Sequence, residues 1–379
     1  MKTYDNKSTK KVIVAGHICL DITPAFSDPG KSSISDILQP GKLIETKGVR
    51  VSTGGAVANT GLAMKLFGAD VRLMGKTGTD ELGDMICSIL KKYDADKDMI
   101  RASDETSSYS VVLAIPGIDR IFLHCPGTNN TFTSSDIPDD ALKDAALFHF
   151  GYPPIMKRMY ENNGAELIAL FDKVRKNGCA ISLDMAAVDP NSEAGRADWR
   201  SILQEVIPLT DFFVPSIEEL CFMLDKERFE DWQQRAKGKD ITGILDVNND
   251  IRPLADICMD MGCRVLMLKC GAPGLYYMSA KAEKLKEIPK RAGLDINAWA
   301  DKEGFERSYK PDVILSGTGA GDTCIAAFLT AMLEGNNPDE CIKLAAAAGA
   351  CCVSAYDALS GLKPLDDLRE RIRSGWEKN

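Results

Sequence analysis

The chain has 379 residues, 45% of them apolar and 27% charged, with a net charge of −9. That length suits one large α/β domain or two smaller ones, and the composition excludes collagen-like and disordered classes. The acidic balance argues against nonspecific nucleic-acid binding. No apolar stretch reaches the roughly 20 residues of a bilayer span. The polar opening MKTYDNKSTKK lacks a signal-peptide core, which predicts a cytoplasmic protein without a membrane partner. Twelve cysteines with no C-x-x-C pair, beside only three histidines, point to reduced, buried thiols rather than disulfides or zinc.

In chain order, short apolar runs at 12–15, 71–74, 147–150, 180–183, 212–215 and 265–268 predict buried strands. Helical periodicity covers 58–67, 82–92, 165–176, 199–207 and 254–261, and the end of the chain is helical at 322–333, 339–355 and 366–374. Strands alternating with helices imply an α/β fold with a mostly parallel central sheet and helices on both faces. Stretches 22–51 and 110–122 break this rhythm with β-type and turn residues. Within the second, 111–115 and 120–123 flank Pro116-Gly117 as a hairpin. Together they predict a small extra sheet at one edge, acting as a lid. The polar stretches 226–250 and 281–310 read as surface insertions.

Three glycine-bearing segments carry the chemistry. In SGTGAGDTCIAAFL, 316–329, three alternating glycines precede a helix. Glycines let backbone N–H groups converge, and the first helical turn leaves its N–H groups unpaired and partly positive, so the segment can cradle an anion. Asp322 closes that cradle; the plain alternative is a helix N-cap. Gly75-Lys76-Thr77 nearly completes a P-loop but has Asp70 where the first glycine belongs, and the late glycines do not fit the dinucleotide pattern. In STGGAVANTG, 52–61, Gly54-Gly55 permits close backbone approach and Asn59 offers an amide to hydroxyl-rich ligands; the alternative is a strand end and a cap. Asp21, after the first strand, lies at the sheet's carboxyl end, where open α/β sheets hold ligands. Finally, Lys269 precedes a turn with Gly271 and Gly274, suited to a base or phosphate or simply to a hairpin.

Jointly and in order, Gly54-Gly55-Ala56-Val57-Ala58-Asn59, Gly75 to Asp80 with Gly83, Gly127-Thr128-Asn129 and Thr318-Gly319-Ala320-Gly321-Asp322 resemble the motifs of the ribokinase-like (PfkB) carbohydrate kinases. The resemblance implies a single ribokinase-like domain over 1–379, with lid segments at about 20–53 and 108–125. It implies transfer of the γ-phosphoryl group of ATP to a hydroxyl of a sugar or sugar acid, of fructokinase or ketodeoxygluconate kinase type. Asp322 would be the general base and Gly319, Ala320 and Gly321 the anion hole. Asp21, Gly54, Gly55 and Asn59 would bind the sugar. Lys269, Gly271, Gly274 and Thr318 would bind the nucleotide, and Glu219 would organise Mg2+ through water. A monovalent cation such as K+ and pairing of lids in a homodimer also belong to what the family implies. The chain departs from the pattern at Ser316-Gly317, in place of an acid–hydroxyl pair, and at Ser216, in place of asparagine. The alternatives are a nucleoside kinase, with Phe26, Tyr109 and Phe122 as stacking candidates, and a binding protein without turnover. A phosphorylated acceptor is disfavoured, since only Arg50 and Arg120 offer charge in the lid and both read as solvated surface.

Overall fold

The computed structural model describes residues 10–27, 34–116 and 121–379. Among these, thirteen strands run in chain order: β1 (Lys11–Gly16), β2 (Cys19–Pro24), β3 (Val49–Gly54), β4 (Asp70–Gly78), β5 (Ile100–Ala102), β6 (Tyr109–Leu113), β7 (Ile121–Cys125), β8 (Ala145–Gly151), β9 (Ala180–Asp184), β10 (Phe212–Phe213), β11 (Val265–Lys269), β12 (Gly274–Ser279) and β13 (Glu303–Arg307). Nine of them form one sheet in the order β13-β12-β11-β10-β9-β8-β1-β4-β5. It is parallel from β5 to β11, and at the edge β12 pairs antiparallel with both β11 and β13.

The six apolar runs of the sequence are the inner strands, and their uniform apolarity has a physical cause: both faces are covered. Along β1, Val12 and Val14 pack into a core with the helices Ala56–Leu66, Ala320–Leu333 and Pro338–Cys352. Ile13 and Ala15 point the other way, into a second core with Ala165–Lys176, Trp199–Val206 and Ile217–Leu224. Period-two alternation thus feeds two helical layers from one strand.

The four remaining strands make a separate sheet, ordered β3-β2-β6-β7. It contains the residues expected to form the hairpin; Gly117 and Arg120 of that turn lie outside the described residues. The chain passes from β1 to β2 through only His17 and Ile18. Asn129 clasps this crossing: its Oδ1 accepts from Ile18 N at 3.1 Å, and its Nδ2 donates to the carbonyls of Ile18 at 2.9 Å and Pro126 at 3.1 Å.

The expectation of surface insertions needs correction. Within 281–310, Leu285, Ala292 and Trp299 are buried and β13 completes the sheet. Within 226–250, Trp232 is fully buried and donates to Asp250 Oδ1 at 2.9 Å, while Arg235 pairs with the same carboxylate at 2.7 Å. Sparse, large apolar anchors hold both polar segments to the core. All twelve cysteines are free, and ten are buried. No helix among the described residues is long and apolar enough to cross a membrane.

Candidate functional site

Asp322 lies in the first turn of Ala320–Leu333, whose N-cap Gly319 is left-handed at φ 77°. Its carboxylate is 5% exposed and accepts three hydrogen bonds. Asn59 Nδ2 donates to Oδ2 at 3.0 Å, and Thr60 Oγ1 donates to Oδ1 at 3.1 Å. Tyr152 donates its phenol hydrogen to Oδ1 at 2.7 Å. The expected cap at this helix is therefore not Asp322, whose side chain serves other elements. The two glycine-led helices meet instead through the Asn59–Asp322 bond, across 263 residues of sequence.

The anion-cradle geometry follows from the helix start. Ala320 N donates to Gly317 O at 3.3 Å and Thr323 N to Gly319 O at 2.9 Å. The N–H groups of Gly321 and Asp322 lie between these in the first turn, where helical geometry supplies no acceptor. A Cβ on Gly321 would sit 3.3 Å from Lys269 Cδ and 3.6 Å from its Nζ. The ammonium thus lies against the glycine turn, held at 2.6 Å by Asp184 Oδ1. Burial opposes the charge on Lys269, but Asp184, Glu219 and Asp322 outweigh it and hold its pKa above the ordinary value. Burial pushes the Asp184 carboxyl well above the usual carboxylate range, with Lys269 pulling it back.

The residues expected to bind a sugar come from both sheets. Asp21 lies on β2 opposite Ser52 of β3 and Ser110 of β6. A Cβ on Gly54 would be 2.2 Å from Asp21 Oδ2, so only glycine allows this packing. Gly55 is the N-cap of Ala56–Leu66 and sits beside the imidazole of His17. Asp21 and Asn59 line a cleft of about 1030 Å³ that extends past Ser52, Thr53, Ser316 and Thr318 to Tyr356 and Lys363. Burial pushes Asp21 up to about 6, with Cys19 and Ser110 donating in the opposite sense. Asp21 is therefore ionised above about pH 6 and able to accept ligand hydroxyls; below it, one oxygen carries a proton. On the expectation that Asp21 binds the acceptor, the acceptor KM should rise as pH falls through about 6, with little change in kcat, and should be high and flat with pH in Asp21→Asn. Steady-state kinetics across this range check both outcomes.

Other expected site residues take plainer places. Gly271 and Gly274 shape the turn between β11 and β12. Thr318 N donates to Ser316 Oγ at 3.1 Å, which makes Ser316 the local cap of the glycine loop. Ser216 and Glu219 form a reciprocal capping box on Ile217–Leu224, with Ser216 N donating to Glu219 Oε2 at 3.0 Å. Asp80 caps Glu81–Lys91, and Lys76 pairs with Glu105 at 3.2 Å, away from any phosphate cradle. Arg50 is not merely solvated surface, as the sequence suggested. It lies 4.9 Å over the ring of Tyr356 and lines the cleft together with Lys92 and Lys363.

Tyr152, Thr60, Asp184 and His17 were missed in the sequence. Tyr152 and Asp184 both stand at the carboxyl ends of parallel strands, the one available signal. Tyr152 is left-handed at φ 72°, ψ 41°, a conformation costing a bulky residue about 1–3 kcal/mol. His17 is fully buried, with its ring centroid 5.2 Å from that of His124 and 5.9 Å from that of Tyr152. Burial, with His124 adding to it, drops its pKa to about 3, so it stays neutral.

Comparison with known proteins places the chain in a family. The 2-dehydro-3-deoxygluconokinase of Bacillus subtilis (strain 168) is 22% identical over 333 residues, covering 86% of this chain and 89% of that protein. Fructokinase-2 of Oryza sativa subsp. japonica is 23% identical over 343 residues, covering 87% and 88%. A solved structure of Arabidopsis thaliana ribokinase complexed with ribose and ATP matches with a TM-score of 0.67 at 18% identity, covering 95% of this chain and 98% of that one. The pfkB family carbohydrate kinase model matches residues 10–364, and the chain belongs to that family.

Proposed function

We propose that the protein transfers the γ-phosphoryl group of ATP to a hydroxyl of a sugar acid, with Asp322 taking the hydroxyl proton. The carrying observation is the Asn59–Asp322 hydrogen bond, which joins a cleft-lining residue of the acceptor side to the anion cradle. MgATP supplies the electrophilic phosphorus and a charge-neutralising metal. The residues present suit it. Asp184 Oδ2 is buried without a hydrogen-bond partner, and Glu219 has one oxygen beyond its cap. A Mg2+ would be held mainly by phosphates and water. Lys269 and the N–H groups of Gly321 and Asp322 would face the phosphate oxygens. Asp21 and Asn59 would orient the acceptor while the β3-β2-β6-β7 sheet covers it and excludes water. Val49 and Leu123 are exposed on that sheet, which supports its pairing in a homodimer.

The charge of the cleft favours an acid over a neutral sugar. Arg50, Lys92 and Lys363 line it against the carboxylates of Asp21 and Asp357, an excess of one positive charge. Asp357 accepts from its own turn, Leu359 N at 2.9 Å and Ser360 N at 2.8 Å, and, against the effect of burial, its carboxyl is lowered by these bonds and by the charge of Arg50. ADP release measured across aldonic and ketoaldonic acids, neutral hexoses and pentoses, and nucleosides tests the reading. Turnover with the acids, and an acceptor KM at least about tenfold higher in Arg50→Ala, as expected on losing one charge-assisted contact, would support it. Preference for neutral sugars or nucleosides would overturn the acid reading, and ADP release with none would overturn the kinase reading.

A further inference from the structure

Tyr152 has no place in the motif resemblance, yet its phenol makes the shortest of the three hydrogen bonds to Asp322. Two hydroxyl donors, Tyr152 and Thr60, converge on Oδ1, whereas Oδ2 receives one amide hydrogen, from Asn59. An ionised carboxylate offers about two acceptor sites on each oxygen. Oδ1 is therefore full, and Oδ2 keeps one site. We propose that Tyr152 is a positioning residue for phosphoryl transfer: with Thr60 it occupies Oδ1 of Asp322 and leaves Oδ2 as the oxygen that takes the acceptor proton. This inference rests on Asp322 being the base.

The backbone supports a dedicated placement. Tyr152 follows directly on β8, between Gly151 and Pro153, and its N–H donates to Asp184 O at 3.2 Å. Bulky residues seldom adopt its left-handed conformation, and here that conformation aims the phenol across the sheet end at Asp322. Burial, with the charges of Asp322 and Asp184, raises the phenol far above its ordinary value, so it remains a donor throughout the working range. The charged groups facing this carboxylate are Lys269 from β11, Asp184 from β9 and Glu219 from Ile217–Leu224. Two thiols are also close, Cys324 on the same helix and Cys352 on Pro338–Cys352, both raised by burial and so neutral.

The step balances in atoms and electrons. The acceptor O–H bond breaks and its proton passes to Oδ2. The freed pair forms the new O–P bond, while the bond from γ-phosphorus to the β–γ bridging oxygen breaks and ADP leaves with that pair. With Oδ1 filled, the carboxylate cannot turn its other oxygen toward the acceptor, and the proton has one destination.

Tyr152→Phe keeps the ring and removes the donor. A hydrogen bond to the ionised form favours that form, so its loss favours protonation. The acid limb of the kcat–pH profile should move up by about one pH unit, with a smaller change in acceptor KM. Thr60→Val removes the second donor and should move the limb the same way; if Tyr152→Phe does not fold, Thr60→Val carries the test. A profile superimposing on that of the parent protein overturns the inference. Asp322→Asn separates the two ideas. A near-parental rate in that variant overturns the base reading and this inference together. An inactive Asp322→Asn protein with an unmoved Tyr152→Phe profile overturns this inference alone.

Discussion

Asp322→Asn should lower kcat by about 10²–10⁴-fold, the range expected for loss of a general base, while the Kd for ATP stays close to that of the parent. The asparagine amide keeps the volume and can still accept from Tyr152 or Thr60, but it cannot take a proton. It also presents two N–H groups where Asn59 already donates to Oδ2 at 3.0 Å, so one side-chain amide must turn. ATP affinity should hold because the cradle is made by backbone N–H groups and Lys269, which the substitution leaves in place. Single-turnover phosphoryl transfer, with ATP binding followed by calorimetry, separates the two effects. A rate within a few-fold of the parent, with folding intact, would remove Asp322 from the chemistry.

Lys269→Met should be costly in two distinguishable ways. The lysine and Asp184 side chains are 12% and 1% exposed, with 2.6 Å between Nζ and Oδ1. Removing one partner of such a pair strands a buried carboxylate, a loss of about 3–5 kcal/mol of stability. It also takes a cation from beside Gly321, and losing one preorganised donor to the transferring phosphoryl costs about 10²–10³-fold in kcat. Adding Asp184→Asn to Lys269→Met should return much of the stability and none of the rate. Denaturant titration and initial rates on the two variants give both numbers. A Lys269→Met protein as stable as the parent, or a double variant with restored rate, would contradict this account of the pair.

The inner sheet was legible because burial on both faces leaves uninterrupted apolar runs, and six of those runs are six of its strands. The outermost strand, β13, was not. β13 reads Glu303-Gly304-Phe305-Glu306-Arg307 and buries only Glu306 fully, so its period-two signal is lost in charge. The segments 226–250 and 281–310 misled for a related reason: Trp232 and Trp299 are single anchors in polar surroundings, and composition averages them away. Asp322, Asn59 and Asp21, the residues of the proposed site, stand out in the sequence because glycine loops and strand ends have local signatures. The partners of Asp322 could not. Thr60 looks like any helix residue, and nothing near Tyr152 in sequence shows that its phenol crosses to a helix 170 positions later. Arg50 shows the same blindness to tertiary convergence, since Lys92 and Lys363 reach its cleft from distant segments.

The clasp at Asn129 has an entropic consequence. One side chain cross-links the β1–β2 crossing to the backbone just beyond β7, so the β3-β2-β6-β7 sheet, in its proposed role as a cover, would meet a ligand already ordered at the root. A flap on loose tethers would lose about 1–2 kcal/mol per residue on settling into place. Affinity that such a protein would spend on freezing its own chain remains, in this one, for aligning the incoming oxygen with phosphorus.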